Sequence, residues 1–322
     1  MRPPDYLQTA IEQLSAQAGW REVGAASREL SQRYRNANFT APAVRDSADR
    51  IAYLAIRLPA TFAANVHVFA ELRRRAPQIE ISSLLDLGAG PGTTLFAAAE
   101  VFSGLRHATL LEADPQWAKV GKQLAAAGSS TAVREAEWLR RDLREPGELQ
   151  PHDLIVISYA LGELALPAVE AVIRRAWQAA RKFLVVIEPG TKRGFAGVNA
   201  ARSWLIAQDA NILAPCPHQL VCPMAAANDW CHFSQRLERT REHRRIKSGA
   251  LGHEDEKFSY VIASRLDLPA AAARIVRHPR RHSGHVQLEL CTPEGLIRKT
   301  VTKSSGEAYK RARQAEWGEE FT

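Results

Sequence analysis

The 322-residue sequence is poor in cysteine, with four residues in all, and it has only two methionines. So few cysteines exclude a small disulfide-stapled scaffold, in which cysteine exceeds about 8–10% of the residues. Its uninterrupted apolar runs are also short, and none approaches the roughly 20 residues that a membrane-spanning helix needs. The sequence therefore predicts a globular protein without a membrane partner.

The N-terminal stretch MRPPDYLQTAIEQLSAQAGW lacks the features of a targeting peptide. It has no uninterrupted apolar core, which a secretion signal requires, and it carries Asp5 and Glu12, whereas transit peptides are poor in acids. We therefore expect a cytoplasmic location. Because structural disulfides are rare in a reducing cytoplasm, we do not expect the four cysteines to pair as disulfides.

Hydrophobic periodicity divides the chain into three parts. Residues 1–80 show helical spacing, with a division between helices expected near Pro59, and contain no chemical motif. In residues 81–210, short continuous apolar runs alternate with helical stretches, as in a parallel sheet covered on both faces. Residues 211–322 hold the cysteines, two basic runs and alternating strands joined at 293–295. The predicted fold class is α/β, with a helical N-terminal region and a C-terminal module of antiparallel strands.

The segment LLDLGAGPGT places a glycine-rich turn between a predicted strand and a predicted helix. After Asp86, glycine recurs at Gly88, Gly90 and Gly92, where it lets the backbone turn tightly and approach a ligand. The pattern D-x-G-x-G-x-G differs from the dinucleotide fingerprint G-x-G-x-x-G. It resembles the first motif of class I S-adenosylmethionine-dependent methyltransferases, which implies a Rossmann-like sheet and a cofactor contact that extends to Thr93. The alternative is a glycine-rich turn in another kind of α/β protein.

Three further positions are candidates for cofactor binding. Glu112 ends the second predicted strand, where a carboxylate accepts hydrogen bonds from both ribose hydroxyls, and Asp114 is its competitor. Asp142 in EWLRRDL is a candidate acceptor for the adenine amino group, with a solvated loop acid as the alternative. Ser158 begins SYALGEL after the next strand, at the edge of the sheet where open α/β proteins bind ligands.

The predicted catalytic edge lacks familiar signatures of methyl transfer. Base-nitrogen methyltransferases often carry Asn/Asp-Pro-Pro-aromatic, and this chain has Ser-Tyr-Ala-Leu at residues 158–161. A cysteine nucleophile for pyrimidine carbon-5 methylation has only Cys216 as a candidate, which lies beyond the fourth strand. Glu163 and Glu188 are candidate general bases, and for each the alternative is a structural carboxylate. The sequence thus predicts a cofactor pocket and leaves open whether methyl transfer occurs.

Three of the four cysteines lie in the stretch APCPHQLVCPMAAANDWCHF. The spacing is Cys216-x5-Cys222-x8-Cys231, followed much later by Cys291, and it differs from the CxxC…CxxC of a zinc ribbon. The first two are Cys-Pro pairs, a dipeptide that also occurs in ferredoxin-type iron–sulfur motifs. The segment is rich in prolines rather than periodic, so the cysteines are expected on loops.

Spacing alone leaves three interpretations of these cysteines open. One is an iron–sulfur cluster held by loops. Another is a zinc site in which His218 or His232 completes the ligands. The third is a set of inert thiols, because free cysteine packs well in protein interiors.

Several longer strings resemble one family. LDLGAGPGT, SYALGEL, IEPGTKRGF, APCPH…CP…WCHFSQRLER and HEDEKFSYV are similar to the ribosomal small-subunit methyltransferase-like family of the Rsm twenty-two type. The resemblance implies a class I methyltransferase fold, association with the small ribosomal subunit or its RNA, and a [4Fe–4S] cluster. Both catalysis and a role in assembly without catalysis fit the family. The implied cluster ligands are Cys216, Cys222, Cys231 and Cys291.

Two arginine-rich runs flank the cysteine segment. The chain carries 43 Lys and Arg against 35 Asp and Glu, a net charge of +8, which is compatible with a polyanionic partner. Arginine contacts to phosphate give affinity that is independent of base sequence, and the alternative is an ordinary solvated surface. The candidate RNA contacts are Arg244, Arg245, Arg277, Arg280 and Arg281.

Together these features predict a monomeric S-adenosylmethionine-binding, methyltransferase-like protein that acts on the small ribosomal subunit or its RNA and carries a [4Fe–4S] cluster. The first alternative is a non-catalytic assembly factor that keeps the cofactor pocket. The second is a zinc-stabilised methyltransferase that acts on a protein or a small molecule.

Overall fold

The computed structural model describes residues 2–36, 44–239, 246 and 252–321. Contacts divide the chain into two compact units, each built from separate stretches of sequence. The first unit consists of Met1–Phe69, Glu80–Pro146 and Gln235–Glu256. The second consists of Ala70–Ile79, Gly147–Ser234 and Lys257–Thr322.

The N-terminal part is helical, as predicted, with α1 at Asp5–Ala18, α2 at Trp20–Asn36 and α3 at Ser47–Arg75. The predicted division near Pro59 is wrong, because α3 continues through it. A proline inside a helix costs about 3 kcal/mol. Each fully buried large side chain stabilises by about 1.5–3 kcal/mol, and α3 buries several of them. The free energy gained by burying the side chains of α3 therefore exceeds the cost of Pro59. The large buried side chains of this helix include Leu54, Leu58, Phe62, Phe69 and Leu72.

Helix α3 is long and apolar enough, by length and composition alone, to cross a membrane. Of its most apolar window, however, 72% is buried inside the protein. Within the first unit its Arg57 also forms a two-bond ion pair with Glu256, at 3.1 and 3.2 Å. Both observations are typical of a core helix.

The first unit carries three parallel strands in the order β3-β2-β1. They are β1 (Ser83–Leu87), β2 (His107–Glu112) and β3 (Glu137–Arg140). Every residue of β1 is buried, which explains its continuous apolar sequence. Three short helices complete this part of the chain: α4 (Thr93–Val101), α5 (Pro115–Ala126) and α6 (Thr131–Arg134).

The second unit carries strands in the order β4-β5-β8-β6. Strands β4 and β5 are parallel, whereas β8 is antiparallel to both β5 and β6. One antiparallel strand in an otherwise parallel order is the arrangement of the class I methyltransferase sheet. The strands are β4 (His152–Ser158), β5 (Ala180–Pro189), β6 (Asn211–Ala214) and β8 (His253–Ser264), the first four residues of which belong to the first unit. Strand β7 (Phe233–Glu238), most of which also belongs to the first unit, pairs with β8. The helices are α7 (Leu166–Ala179), α8 (Lys192–Ile206) and α9 (Pro223–Ala226).

A separate antiparallel sheet forms the C-terminal part of the second unit. The predicted hairpin is confirmed, since β11 (His285–Thr292) and β12 (Gly295–Thr302) pair along their whole lengths. Two short strands, β9 (Arg274–Ile275) and β10 (Arg280–Arg281), add to β11. Helix α10 (Glu307–Gln314) packs on this sheet and buries Ala312 in its apolar core.

Candidate functional site

Asp86 lies in β1 and is fully buried, yet among the residues that the structure describes neither of its carboxylate oxygens has a hydrogen-bond partner of normal geometry. Burial raises the pKa of Asp86 to about 8, the nearby Thr94 hydroxyl lowers it and the charge of Glu112 raises it further. The hydroxyl of Thr93 is also buried, and it has no hydrogen-bond partner within the described part of the chain. A buried polar group without a partner costs about 1–3 kcal/mol, so a ligand with N–H donors would be favoured here.

Glu112 ends β2 and closes onto the glycine turn. Its Oε2 accepts a hydrogen bond from the Gly90 N–H at 2.7 Å, and its Oε1 accepts one from the Asp114 N–H at 2.8 Å. Burial raises the pKa of Glu112, and these backbone N–H groups oppose that shift. The structure therefore brings together Asp86, Glu112 and the glycine turn, as the sequence predicts.

Asp114, the competing carboxylate, has a structural role. Its Oδ1 accepts a hydrogen bond from the Gln116 N–H at 2.8 Å and caps the N-terminus of α5. Its Oδ2 lies 2.6 Å from the guanidinium of Arg50 in α3. Glu112 is consequently the carboxylate that faces the glycine turn.

The glycine turn has room for a ligand on one side. All three predicted glycines have positive φ, at +76° for Gly88, +53° for Gly90 and +86° for Gly92, a conformation that L side chains rarely adopt. A Cβ on Gly90 would meet no atom within 4 Å, whereas one on Gly92 would come within 3.0 Å of the Trp138 ring. Gly90 therefore borders open space, and Gly92 is required by the packing of Trp138.

The carboxylate of Asp142 is already engaged by its own turn. It accepts hydrogen bonds from the backbone N–H and the guanidinium of Arg144, at 2.8 and 2.9 Å. The Arg144 side chain is the main cause that lowers the pKa of Asp142. An adenine amino group at Asp142 would have to share the carboxylate with Arg144, so this role stays a prediction.

Glu188 in β5 holds the turn that follows β4. It is buried, and its Oε1 accepts a hydrogen bond from the Leu161 N–H at 2.8 Å. Burial raises the pKa of Glu188 to about 7, while the backbone N–H groups of residues 160–162 lower it. Glu163 lies in the same turn and is exposed. This geometry favours a positioning role for Glu188 over that of a free general base.

The turn after β4 is also locally strained. Tyr159, directly after Ser158, has a φ of +57°, in the left-handed region that non-glycine residues seldom occupy. Such conformations cost of order 1–3 kcal/mol and cluster at functional sites. The assignment of Ser158 to cofactor binding nevertheless stays a prediction.

The four cysteines, separated by up to 75 positions in the sequence, line a single cavity in the second unit. Cys216 follows β6, Cys222 precedes α9, Cys231 precedes β7 and Cys291 lies in β11. None of them forms a disulfide. The cavity has a volume of ≈ 30 Å³, and about 10–15 Å³ is enough to hold a water molecule.

The pKa shifts of these thiols also show that they lie close to one another. Burial raises the pKa of Cys231 well above its ordinary value, and the charges of the other three sulfurs raise it further. Burial likewise raises the pKa of Cys291 to about 12, with Cys216 and Cys222 adding to the shift. Four neighbouring thiols cannot all ionise unless a positive group lies among them. The donor set therefore suits a metal centre that takes thiolates.

The side chains are not pre-arranged around an ion. Across residues 2–36, 44–239, 246 and 252–321, no group of three or more His, Cys, Asp or Glu side chains is placed so that it could hold a metal ion as it stands. His232, a candidate zinc ligand, instead stacks on Trp230 and contacts the edge of Trp317, with ring centroids 5.3 and 4.7 Å apart. The convergence of the thiols is thus the main structural support for a metal centre.

The predicted RNA-binding arginines are only partly described. Arg244 and Arg245 lie outside the described residues. Arg277 pairs with Asp229, Arg280 lies 3.5 Å from Glu289, and Arg281 lies 2.8 Å from Glu316. A phosphate would therefore compete with a carboxylate at each of the three, and their role in RNA binding stays a prediction.

Sequence reasoning missed Arg202 in α8, which contacts the cysteine cavity. Its Nε lies 3.2 Å from the Sγ of Cys216, and the residue is buried. Arg202 falls four residues after Val198 and three before Leu205, both buried. This i, i+4, i+7 spacing places Arg202 on the buried face of the helix and is the signal that identifies it.

A family model described as "Mitochondrial small ribosomal subunit Rsm22" matches residues 47–322. The chain belongs to the Rsm22 family. The human "Ribosome assembly protein METTL17, mitochondrial" is 29% identical over 292 residues, which cover 84% of this chain and 61% of that protein. The fission yeast "Rsm22-cox11 tandem protein 2, mitochondrial" is 26% identical over 321 residues and covers 84% of this chain. This Rsm22-family chain spans only 61% and 43% of the lengths of these two relatives.

Solved structures similar to this Rsm22-family chain include two methyltransferases. Magnesium protoporphyrin IX methyltransferase from Synechocystis PCC 6803 is 13% identical, with 73% of this chain and 90% of that chain covered and a TM-score of 0.42. Precorrin-6y C5,15-methyltransferase from Geobacter metallireducens is 14% identical, with 62% and 86% covered and a TM-score of 0.39. The predicted class I methyltransferase fold is confirmed, and the strand orders described above are its structural basis.

The predicted cytoplasmic location is wrong. The family is described as mitochondrial, and both curated relatives carry that word in their names. The prediction relied on Asp5 and Glu12, which belong to α1. Helix α1 buries Leu7 and Ile11, Asp5 is exposed and Glu12 is half-buried, so the two acids belong to a structural helix of the folded protein.

Proposed function

We propose that this Rsm22-family chain binds S-adenosylmethionine on its first unit and works on the small ribosomal subunit or its RNA. The cofactor assignment rests on two observations. The buried carboxyl of Asp86 has no hydrogen-bond partner of normal geometry among the described residues, and Gly90 borders open space. The family description supports the ribosomal partner. The name of the human relative, a ribosome assembly protein, agrees with it.

The residues of the first unit suit the parts of this cofactor. Gly88 and Gly90 would lie against its methionine end, and Asp86 offers a carboxyl to the amino group of that end. Glu112 would accept from the ribose hydroxyls, and Asp142 from the adenine amino group. When bound, the cofactor supplies an electrophilic methyl group; these residues only bind and orient it.

A non-catalytic assembly factor is the second candidate, and the geometry of Glu188 favours it. The Glu188 carboxylate accepts a backbone N–H from the turn after β4, and the carboxylate of Glu163 is solvent-exposed. Neither is held as a free base inside a closed site, which methyl transfer to a weakly acidic atom needs. In this role the bound cofactor would stabilise the fold without turnover.

The four cysteines would hold a [4Fe–4S] cluster. Their sulfurs converge on one cavity. Burial is the main cause that raises the pKa values of Cys231 and Cys291, repulsion between the sulfurs adds to it, and a bound cationic group would oppose both effects. The cluster would tie the 216–231 loop to β11, and its binding energy would contribute directly to folding. A zinc ion on the same thiols is the alternative, so the content of iron, zinc and sulfide decides between them.

Binding of S-adenosylmethionine to Gly90→Val, measured by calorimetry, tests the cofactor assignment. The added side chain enters the open space beside Gly90, so we expect at least a tenfold loss of affinity. Gly306→Val, directly before α10, is the matched control, because Gly306 has a similar φ of +56° and a Cβ there also meets no atom within 4 Å. Affinity in the Gly90 variant equal to that of the control, with both proteins folded, would contradict the assignment.

A further inference from the structure

Arg202 is a buried arginine whose partners are a thiol and a histidine. It is 3% exposed. Its Nε donates to the Sγ of Cys216 at 3.2 Å, and its Nη2 donates to the carbonyl of His218 at 2.8 Å. In the part of the chain that the structure describes, no carboxylate forms an ion pair with it. A guanidinium removed from water without a counter-charge is strongly unfavourable, so its surroundings must supply an anion.

A second buried arginine on the same cavity provides the comparison. Arg274 is 2% exposed, and its Nη2 lies 2.6 Å from the carboxylate of Glu71. It also donates to the carbonyl groups of Pro215 and Gly318, at 3.1 and 2.8 Å. The fold thus neutralises one guanidinium with a carboxylate and leaves the other facing Cys216. Cys216 is the group that faces Arg202, and as a thiolate bound to the proposed cluster it would supply the matching negative charge.

The hydrogen bonds of His218 determine which nitrogen of its ring carries the proton. Its Nδ1 lies 3.2 Å from the Leu220 N–H and 3.3 Å from the Nη2 of Arg202, and both of these groups can only donate. Nδ1 therefore accepts, and the neutral ring carries its proton on Nε2. That nitrogen lies 3.4 Å from the Sγ of Cys291 and donates to it.

This tautomer argues against His218 as a metal ligand. Metal coordination uses a ring nitrogen that bears no proton. In His218, Nδ1 is occupied by two donors, and Nε2 bears the proton that faces Cys291. The ring is arranged as a donor to a thiolate and leaves coordination to the cysteines.

We propose that Arg202 and His218 are positioning residues that stabilise the four-cysteine centre by donating to two of its thiolates. Arg202 acts as the counter-ion of Cys216, and His218 acts as an N–H donor to Cys291. The inference rests on the proposed cluster, whose four thiolate ligands give it a net negative charge. N–H donors and positive charge near the sulfurs stabilise the reduced, more negative form and so raise the reduction potential.

The decisive measurement is the reduction potential of the cluster in the reconstituted protein, with the reduced form monitored by electron paramagnetic resonance. Arg202→Met keeps most of the side-chain volume and removes the charge and the donors. We expect the ratio of reduced to oxidised cluster at a fixed potential to fall about tenfold, which is about 59 mV for one electron. Arg202→Lys keeps the charge, so the ratio of reduced to oxidised cluster should fall less in this variant.

His218 is tested by a pair of variants. His218→Phe removes the donor to Cys291, so the potential should fall while the full iron content remains. His218→Gln retains an N–H donor and should restore part of the potential. Complete loss of iron in His218→Gln would instead identify His218 as a ligand and overturn its assigned role.

Arg298→Met is the matched control, because the Arg298 side chain is 85% exposed and lies on β12. Its potential should equal that of the wild type. If Arg202→Met does not fold, Arg202→Lys and His218→Phe carry the test. If the reduction potentials of Arg202→Lys and His218→Phe both equal that of Arg298→Met, the proposal is overturned. A lower potential in His218→Phe supports it.

The outcomes separate this inference from the proposed cluster. Wild-type protein without iron and sulfide would remove the cluster. Wild-type protein with iron, and with the same potential and iron retention in Arg202→Met as in Arg298→Met, would remove only the positioning role. If the wild type binds zinc instead, faster loss of zinc to a chelator from Arg202→Met than from Arg298→Met supports the counter-ion role, and equal rates overturn it.

Discussion

Asp86→Asn should make the cofactor-free protein more stable at neutral pH while weakening S-adenosylmethionine binding. The pKa of Asp86 is raised from 3.8 to about 8 in the folded protein. Because the folded pKa is the higher one, the folded state holds a proton that the unfolded chain releases between these values. Stability is therefore lost as pH rises through this window. At about 1.4 kcal/mol per pKa unit, the loss is up to about 4 kcal/mol at pH 7 and under about 1 kcal/mol at pH 4.

Asparagine has nearly the same shape and does not titrate, so the substitution removes this pH-dependent loss. Burial of the new amide group opposes the gain by about 1–3 kcal/mol. The informative quantity is thus the change with pH in the difference between variant and wild type. Denaturant unfolding of both proteins between pH 4 and pH 7 measures it. Calorimetry measures the weaker cofactor binding that follows from the loss of a carboxyl able to ionise against the cofactor's amino group.

Asp142→Asn is the matched control for this experiment. The pKa of Asp142 is lowered, chiefly by Arg144, so its contribution to stability has the opposite sign and is lost as pH falls. If Asp86→Asn and the wild type have parallel pH profiles of unfolding free energy, Asp86 is an ordinary carboxylate. The buried carboxyl of Asp86 then gives no support for a cofactor site at the glycine turn.

Three further variants test other parts of the account. Cys222→Ser should lose iron and expose residues 214–233 to protease, with S-adenosylmethionine binding retained; full iron content in this variant would exclude Cys222 as a ligand. Replacing Arg280 and Arg281 together with glutamine should flatten the salt dependence of small-subunit RNA binding; an unchanged slope would mean that they form a solvated surface. Glu71→Gln leaves Arg274 buried without its counter-charge and should cost about 3–5 kcal/mol at pH 7. Because the pKa of Glu71 is lowered from 4.5 to about 2, the wild-type advantage should shrink as pH falls through that range, and a pH-independent difference would contradict the ion-pair explanation.

The candidate cofactor residues of the first unit are predictable from the sequence because they lie at the ends of strands. Asp86 and the glycines follow from β1, and Glu112 from the end of β2, so parallel pairing alone brings them together. Strand β3 was not predicted, because Glu137–Arg140 is a largely exposed edge strand without an apolar run. Pro59 misled the prediction because tertiary packing of α3 overrides a local helix breaker.

The four-cysteine cavity of the second unit is less predictable because its geometry depends on long-range packing. The segment containing Cys216, Cys222 and Cys231 is visible in the sequence, and the partnership with Cys291 came from family resemblance. Arg202 was overlooked because arginine on a helix is usually solvated. Only the burial of its neighbours on α8 and its contact with Cys216 identify it as part of the cysteine centre.

The measurement that tests the central claim most directly is the metal and sulfide content of wild-type protein purified without oxygen, together with its visible absorption spectrum. If the converging cysteines hold a [4Fe–4S] cluster, each chain carries four irons and four sulfides, with broad visible absorption that bleaches on reduction. Zinc without sulfide would replace the cluster with a zinc site. Protein with neither metal nor sulfide, even after anaerobic reconstitution, would contradict the account and return the four cysteines to ordinary packing.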